Sequence, residues 1–275
     1  MAVIAKIRNR PPLKWAGGKY KLVDKIAKYL PKGGRLIEPF VGSGAVFLNL
    51  EYDEYYLNDI NKDLINLYKT IQHDGHEFIE FAKSFFIPKF HSENRFYDLR
   101  ERFNFSDDIV EKSAILIYIN KFGFNGLIRY NASGGMNVPF GHHKKMPYFP
   151  EKELIHFFNK SKKAVFRCMD FEKVINRAKA NDVIYCDPPY FPISKTANFT
   201  AYSSGGFAEN QQISLSLLAE KMKAKGIPIV ISNHYTPATV KLYKVARKYK
   251  FPVQRMISCN GEKREKAMEI LAVYK

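Results

Sequence analysis

A strand that runs into a glycine turn and then a helix constrains the fold of this chain more than any other stretch. The segment Arg35–Phe47 contains a short apolar strand, the turn Gly42-Ser43-Gly44 and the start of a helix. This order is typical of the first strand and first turn of a nucleotide-binding α/β sheet. Phe47 stands where a dinucleotide fingerprint needs a third small residue, so the pattern disfavours a nicotinamide cofactor.

A second predicted strand, Tyr55–Leu57, ends in Asn58-Asp59. An acid at the end of the second strand is placed to accept hydrogen bonds from a ribose diol. Asp59 could instead cap the helix that begins after it, because apolar residues follow at helical spacing. The upstream glycines favour the ribose interpretation.

The third informative strand, Val183–Cys186, leads into Asp187-Pro188-Pro189-Tyr190. Each proline fixes its own φ and biases the preceding residue away from helix, so the turn is rigid. It presents a carboxylate, backbone carbonyls and a flat ring at the edge where open α/β sheets bind ligands. This set suits a planar substrate with an exocyclic amino group. The alternative is an ordinary turn at the end of a strand.

Charge points to a polyanionic partner. The 275 residues carry a formal net charge of +17, and the segments 113–150 and 221–261 contain no acid. A basic face that is merely solvated is the alternative for either segment. The three cysteines are far apart and lack metal-site spacing, which predicts reduced thiols in the cytoplasm. We also expect no secretory signal and no membrane span.

The segment Pro11–Tyr20 frames Trp15 and Lys19 with prolines and with Gly17-Gly18. Two glycines ahead of a helix let backbone approach a ligand, and Trp15 could cover a flat ring. A structural turn with a buried tryptophan is the alternative. The segment lacks the glycine spacing and the Ser/Thr of a Walker A loop.

Residues 74–150 interrupt the α/β pattern with helical stretches at 78–86, 96–103 and 109–122. After them, Phe124-Asn125-Gly126-Leu127 predicts a tight turn, and Ser133-Gly134-Gly135 predicts a second, so we expect a β-hairpin with exposed aromatic, amide and Arg side chains. Such side chains read base edges or wedge into a base step. The adjacent His142 and His143 predict a DNA-facing or solvated pair rather than a metal site.

From residue 150 the α/β alternation returns. The polar, glycine-ended stretch 191–206 predicts a long loop that acts as a lid or binding loop. The remaining patterns predict a helix at 209–223, a buried strand at 227–232, a basic helix at 237–248, strands at 252–258 and 267–273, and a charged turn at 260–264 between those two strands.

These motifs, in this order, resemble S-adenosylmethionine-dependent amino-methyltransferases, and several blocks resemble the Dam family of DNA adenine-N6 methyltransferases. The blocks cover the chain from residue 13 almost to its end: 13–20, 38–44, 125–131, 137–141, 196–202 and 231–234. The resemblance implies an α/β fold with a Rossmann-like methyltransferase sheet and helices on both faces. It also implies a catalytic domain at 1–73 and 151–275, and an inserted, mainly helical target-recognition domain at 74–150 that carries the β-hairpin.

The resemblance further implies that the chain methylates N6 of adenine in GATC within duplex DNA, by base flipping and direct in-line transfer, as a cytoplasmic monomer that needs no metal. The host would be a bacterial or phage-infected cell. Carried over by position, the catalytic residues are Asp187, Pro188 and Tyr190. The residues implied to bind the cofactor are Trp15, Lys19, Phe40, Gly42, Asp59 and Asp187. The residues implied to contact DNA are Lys14, Phe124, Asn125, Leu127, Arg129, Pro139 and His143. His142 and His143 depart from the Arg-Tyr pair associated with close relatives.

Three other functions compete with this one. A cysteine nucleophile at Cys186 would need an exposed thiolate, whereas its place on a buried strand predicts core filler. A methyltransferase acting on RNA or on a protein amide could use the same Pro-Pro-Tyr turn, although the 74–150 insert favours DNA. A non-catalytic DNA-binding module would explain the charge but not the glycine turn, Asp59 or Asp187.

Overall fold

The computed structural model describes residues 1–5, 7–190, 207–254 and 266–275. The strands are β1 (Val3–Ile4), β2 (Arg35–Glu38), β3 (Leu50–Glu51), β4 (Glu54–Asn58), β5 (Ala164–Arg167), β6 (Asp182–Cys186), β7 (Ile229–His234), β8 (Arg247–Gln254) and β9 (Lys266–Tyr274). The α-helices are α1 (Val23–Ala27), α2 (Ala45–Asn49), α3 (Lys62–Lys83), α4 (Glu93–Phe105), α5 (Ile109–Phe122), α6 (Glu151–Ser161), α7 (Phe171–Ile175), α8 (Glu209–Ala224) and α9 (Pro237–Leu242).

A central seven-stranded sheet has the order β5-β4-β2-β6-β7-β9-β8. The strands from β5 to β7 are parallel, whereas β9 is antiparallel to both β7 and β8. From β2 the chain builds outward on one side through β4 and β5, and then returns to build β6 and β7 on the other side. The switch point of the sheet therefore lies at β2, where α/β sheets bind their ligands.

Both faces of the sheet are covered, as the α/β prediction requires. Alternate residues of a strand face opposite sides. Val183 and Tyr185 of β6 belong to one buried cluster, with side chains of α1, α2 and α3, while Ile184 and Cys186 belong to a second cluster, with side chains of α7 and α8. The expected Rossmann-like sheet with helices on both faces is confirmed. In the described part of the chain, no helix is long and apolar enough to cross a membrane.

Most predicted elements are present, and two need correction. The basic helix expected at 237–248 ends at Leu242, and β8 already begins at Arg247, five residues before the strand predicted at 252. The hairpin expected after α5 has only isolated antiparallel bridges, Gly123 with Phe140 and Tyr130 with Met136, rather than a regular ladder. The loop at 191–206 and the charged turn at 260–264 lie outside the described residues.

The 74–150 segment packs on the sheet domain rather than apart from it. The predicted start of the segment, residue 74, falls inside α3. The next residue, Gly75, interrupts the helix with φ +52° and ψ −121°. Buried residues of α4 and α5, such as Phe96 and Ile115, share one cluster with Leu57 of β4. The division into a catalytic and a recognition domain therefore stays a prediction about function, since the core is continuous across it.

We predict that Gly75→Ala destabilises the fold by about 1–3 kcal/mol, because this backbone conformation is almost restricted to glycine. A Cβ there would also lie 2.7 Å from Cζ of Phe158 on α6. Urea unfolding with an unchanged m-value measures the loss. The matched control is Gly134→Ala: this glycine also has a positive φ, +83°, but no atom would lie within 4 Å of the added Cβ. Equal losses in the two variants would contradict the prediction.

Candidate active site

A cavity of about 350 Å³ opens at the carboxyl ends of β2, β4 and β6. Its volume lies within the range of small-molecule sites, and its place is the switch point of the sheet. It is lined by residues from six places in the chain: 15–19, 38–43 with 45–46, 58–61, 169–171, 185 with 187–190, and 207 with 211. The glycine turn, the acid after the second strand and the Asp-Pro-Pro-Tyr turn therefore open into one cavity.

Asp59 is bound to the glycine turn. Its Oδ2 accepts a hydrogen bond from the Gly42 amide at 3.0 Å, and its Oδ1 accepts one from the Asn61 amide at 3.0 Å. Burial raises the pKa of Asp59, and backbone amide donors, those of Asn61 and Gly42 among them, oppose the shift. The residue that caps α3 is Asn61, whose side chain accepts from the Leu64 amide. The alternative interpretation of Asp59 as the helix cap is therefore wrong.

Trp15 packs against the same turn. Gly42 has φ +47°, and a Cβ at this position would lie 3.0 Å from both Cδ1 and Nε1 of the Trp15 indole. Only glycine leaves room for the indole to approach this closely. Trp15 and Gly42, which are distant in sequence and were both predicted to bind the cofactor, therefore form one wall of the cavity.

Lys19 is buried and ion-paired to the central motif. Its ammonium lies 2.9 Å from Oδ1 of Asp187, donates to the Gly17 carbonyl at 2.5 Å, and lies 4.7 Å from the centre of the Tyr190 ring. Burial raises the pKa of Asp187, whereas Lys19, and then the Tyr190 hydroxyl, lower it. The lysine thus supports the ionised form of a carboxylate that is partly removed from water.

The Asp-Pro-Pro-Tyr turn is supported from behind by buried amides. Nε2 of Gln212, on α8, donates to the Pro189 carbonyl at 2.8 Å. Oε1 of Gln212 in turn accepts from Nδ2 of Asn233, at 3.1 Å. Sequence reasoning gave neither residue a role. Asn233 lies in the 231–234 block that carried the family resemblance, but no local signal distinguishes Gln212 from other helix residues.

Glu38 is a site residue that sequence reasoning did not identify. It is the last residue of β2, is 2% exposed and lines the cavity. Among the described residues, its Oε1 has no hydrogen-bond partner. Burial raises the pKa of Glu38 well above its ordinary value, and the Phe47 amide only partly offsets this. The signal was available, because Glu38 ends the predicted strand that leads to the glycine turn, and the carboxyl end of such a strand faces the ligand site.

An aromatic group closes another side of the cavity. The Phe40 ring lies 5.3 Å from that of Phe171 and 5.5 Å from that of Phe207, the latter edge-on. Phe171 follows Met169 and Asp170, which also line the cavity at the carboxyl end of β5. Sequence reasoning predicted Phe40 but overlooked Met169–Phe171, although a polar loop after a parallel strand was the signal.

The predicted tight turn after α5 is present. Asn125 and Gly126 both have positive φ, +55° and +67°, and the Leu127 amide donates to the Phe124 carbonyl at 3.2 Å. The turn exposes Asn125 and Phe124, whose side chain is 50% exposed. Leu127 is half-buried beside them.

A buried amide brings Lys14 to this turn. Asn120, near the end of α5, accepts from the Lys14 amide at 2.8 Å and donates to the Lys14 and Gly126 carbonyls, each at 2.9 Å. Asn120 is fully buried, so these bonds are shielded from water. The side chain of Lys14 is exposed. Lys14 and the turn therefore form one surface, although Lys14 and Asn120 are 106 residues apart in sequence.

The remaining predicted DNA contacts lie on the same loop, with one difference. Arg129 is exposed and donates to both the side-chain and main-chain oxygens of Asn137, at 2.8 and 3.0 Å. The Pro139 carbonyl accepts from the Phe124 amide at 2.9 Å. His143, by contrast, has a buried Nε2 that lacks a hydrogen-bond partner among the described residues. Its imidazole is thus turned inward, whereas His142 is exposed.

Neither cysteine of the described chain is placed as a nucleophile for this cavity. Cys186 is fully buried on β6, and burial raises the pKa of its thiol well above the ordinary value. The predicted role of Cys186 as core filler is confirmed. Cys168 is exposed, and Cys259 lies outside the described residues. The described residues also contain no group of three or more His, Cys, Asp or Glu side chains that could hold a metal ion.

Comparison with known proteins gives a consistent result. A family model for the D12 class N6 adenine-specific DNA methyltransferases matches residues 15–257. A DNA adenine methylase of Escherichia coli strain K12 is 47% identical over 268 residues, which cover 98% of this chain and 96% of that protein. A DNA adenine methylase of Salmonella typhi is 46% identical over 267 residues, with 97% and 96% covered. One of Vibrio cholerae is 47% identical over 268 residues, with 97% and 96% covered.

We predict that Glu38→Gln stabilises the protein increasingly as pH rises above about 5. The folded state holds the pKa of Glu38 above its unfolded value, so it binds more protons than the unfolded state, and the wild type loses stability with rising pH until that folded pKa is reached. The limiting slope is about 1.4 kcal/mol per pH unit. Chemical unfolding at several pH values measures the difference. The control is Glu77→Gln, at an exposed glutamate, for which the difference in unfolding free energy from the wild type should not increase with pH. A constant difference across pH for Glu38→Gln would contradict the prediction.

Proposed function

The chain belongs to the D12 class of N6 adenine-specific DNA methyltransferases, and from that premise we propose that it methylates the adenine of GATC in duplex DNA after extruding that base. The single observation that carries the proposal is the shared cavity. Residues predicted to bind the cofactor, such as Trp15 and Asp59, line this cavity together with Asp187 and Tyr190, which are predicted to bind the target base. A methyl donor and an amino acceptor could therefore meet there without a separate transfer step.

The side chains present fit S-adenosylmethionine. Glu38, Asp59 and Asp187 give the cavity an acidic lining, which suits a donor with a sulfonium and an ammonium group. Asp59 stands at the end of the second strand, where a ribose diol is held in this class of sheet. Phe40, with Phe171, offers flat apolar surface for an adenine ring. When bound, S-adenosylmethionine supplies an electrophilic methyl group on sulfur.

The nitrogen to be methylated needs activation by the protein. The lone pair of adenine N6 is delocalised into the ring, so N6 is a poor nucleophile. The Asp187 carboxylate and the Pro188 carbonyl would accept the two N6 hydrogens, which favours a localised lone pair and fixes its direction. Tyr190 would stack on the extruded base, a contact worth about 1–3 kcal/mol. These steps require neither a covalent intermediate nor a metal.

The position of Lys19 supports this assignment of the amino group. Its ammonium is an N–H donor that lies against the Asp187 carboxylate and within 4.7 Å of the Tyr190 ring centre. An adenine amino group bound to Asp187 and stacked on Tyr190 needs the same two partners. The lysine must therefore release Asp187, or share it through the second carboxylate oxygen, when the base enters.

The turn after α5 would read the sequence. Lys14 and Asn125 are exposed beside each other, and Arg129 presents guanidinium hydrogens that are now bonded to Asn137. Arg and Asn are the side chains that most often read guanine and adenine edges. Phe124 is exposed enough to insert into the stack that the extruded base leaves. Leu127, Pro139 and His143 complete the set carried over from the family resemblance, which is also the source of the GATC assignment.

The net charge of +17 supports a duplex DNA substrate, because phosphate neutralisation dominates the affinity of such complexes. We further propose that residues 74–150 act as the target-recognition unit, and that the protein acts as a monomer in the cytoplasm. The DNA substrate supports the compartment, and the exposed turn at Phe124 and Asn125 supports the recognition role of the segment.

We predict that the purified protein transfers labelled methyl groups to adenine in duplexes that contain GATC. Duplexes in which GATC is changed at one position should be methylated about 5- to 150-fold more slowly, because one lost base-edge contact costs about 1–3 kcal/mol. Digestion with enzymes sensitive to GATC methylation provides the second readout. Methylation of RNA or protein alone would defeat the substrate proposal, and equal rates on all adenines would defeat the GATC assignment.

We predict that Asp187→Ala lowers the transfer rate on the order of 10³-fold or more, while binding of GATC duplexes persists, because the carboxylate acts on N6 and not on the DNA backbone. The wild-type rate should fall as pH decreases through the raised pKa of Asp187, since protonation weakens the carboxylate as the acceptor of its N6 hydrogen bond. Asp107→Ala, at an exposed acid, is the control. Turnover retained in Asp187→Ala would count against this role.

A further inference from the structure

Tyr190, which follows β6, is held at its far end by a residue of β9, two strands away in the sheet. Its hydroxyl donates to Oε2 of Glu269 at 3.1 Å. Glu269 stands near the start of β9 and pairs directly with His234, the last residue of β7. The His234 ring lies 4.5 Å from that of Tyr190, at an angle of 80°. Two neighbouring positions on adjacent strands therefore contact both the hydroxyl and the ring.

The two prolines do not fix this ring by themselves. They restrict the backbone before Tyr190, whereas the side-chain torsions of Tyr190 stay free to rotate between staggered positions. A hydrogen bond to the para hydroxyl acts at the point of the ring farthest from the backbone. It therefore restricts the side-chain torsions of Tyr190 and favours one orientation of the ring.

The chemical identity of Glu269 supports a specific role. It is only 9% exposed, and burying a carboxylate costs free energy unless it accepts hydrogen bonds. An apolar side chain would fill the same space without that cost. Burial raises the pKa of Tyr190 well above its ordinary value, so its hydroxyl keeps the proton that it donates.

We propose that Glu269 is a positioning residue for the reaction: by accepting the Tyr190 hydrogen bond, it holds the ring in the orientation that stacks on the extruded adenine. The inference rests on the proposed function of Tyr190. Glu269 does not line the cavity. Its loss should therefore affect the rate of transfer from the assembled complex and leave cofactor and duplex affinity unchanged.

The test is a double-mutant cycle of Glu269→Ala and Tyr190→Phe, with rate constants measured in single turnovers on saturating duplex. Each single change removes the hydrogen bond between Tyr190 and Glu269 and should lower the rate constant about 10-fold. Tyr190→Phe also removes the hydroxyl that lowers the pKa of Asp187, so the double variant should be no slower than Tyr190→Phe alone, within about twofold. Glu269→Gln keeps an acceptor oxygen and should recover most of the rate. Calorimetric titration with S-adenosylmethionine and a duplex-binding assay should give wild-type affinities for all variants.

Each outcome decides the inference. A wild-type rate constant for Tyr190→Phe would overturn it, and that variant keeps the ring and the fold even if Glu269→Ala does not. Losses that multiply in the double variant, or a fall in cofactor affinity for Glu269→Ala, would also overturn it. The ratios between variants are taken on whichever adenine-containing duplex the wild type methylates. An absence of wild-type methylation at GATC would therefore count against the proposed sequence specificity and leave these ratios measurable.

Discussion

The parallel pairing of β2 with β4 on one side and β6 on the other is the constraint on which the site depends. It brings the ends of three strands together, and each end carries an acid that lines one cavity: Glu38, Asp59 and Asp187. Three carboxylates that share one cavity, partly shielded from water, repel one another. The fold offsets this with the Lys19 ammonium at Asp187, backbone amides at Asp59 and a raised pKa at Glu38.

A short N-terminal segment joins the two working surfaces. Lys14 is held by Asn120 beside the turn that would read DNA, and Lys19, five residues later, is paired with Asp187 in the cavity. Gly17 and Gly18 lie between them and let the backbone turn. The distance between recognition and chemistry is thus set by one short segment that is anchored at both ends, by Asn120 and by Asp187.

The success of sequence prediction varied with how local the signal was. Helix α5 was predicted with its observed bounds, because the apolar run 114–119 lies in a helical pattern that ends before Gly123. The type of turn at Asn125-Gly126 was also predictable, since both residues tolerate positive φ. The basic helix after Pro237 was extended too far, because Arg247-Lys248-Tyr249 fits helix or strand equally well and pairing with β9 decided for strand. The expected β-hairpin does not form a regular ladder, because its two sides pair only at isolated bridges. Strand pairing, which the local sequence does not encode, decided this case as well.

The sequence by itself determined the fold class, the family resemblance and the order of the motifs, because strand–turn–helix patterns and the Asp-Pro-Pro-Tyr turn are properties of contiguous residues. Only the tertiary structure decided which distant side chains support them. Gln212 reaches Pro189 across 23 residues, Glu269 reaches Tyr190 across 79, and Asn120 reaches Lys14 across 106. It also decided that Oε1 of Glu38 has no partner among the described residues. Such contacts follow from sheet order and helix packing, and a single sequence does not encode these in any local pattern.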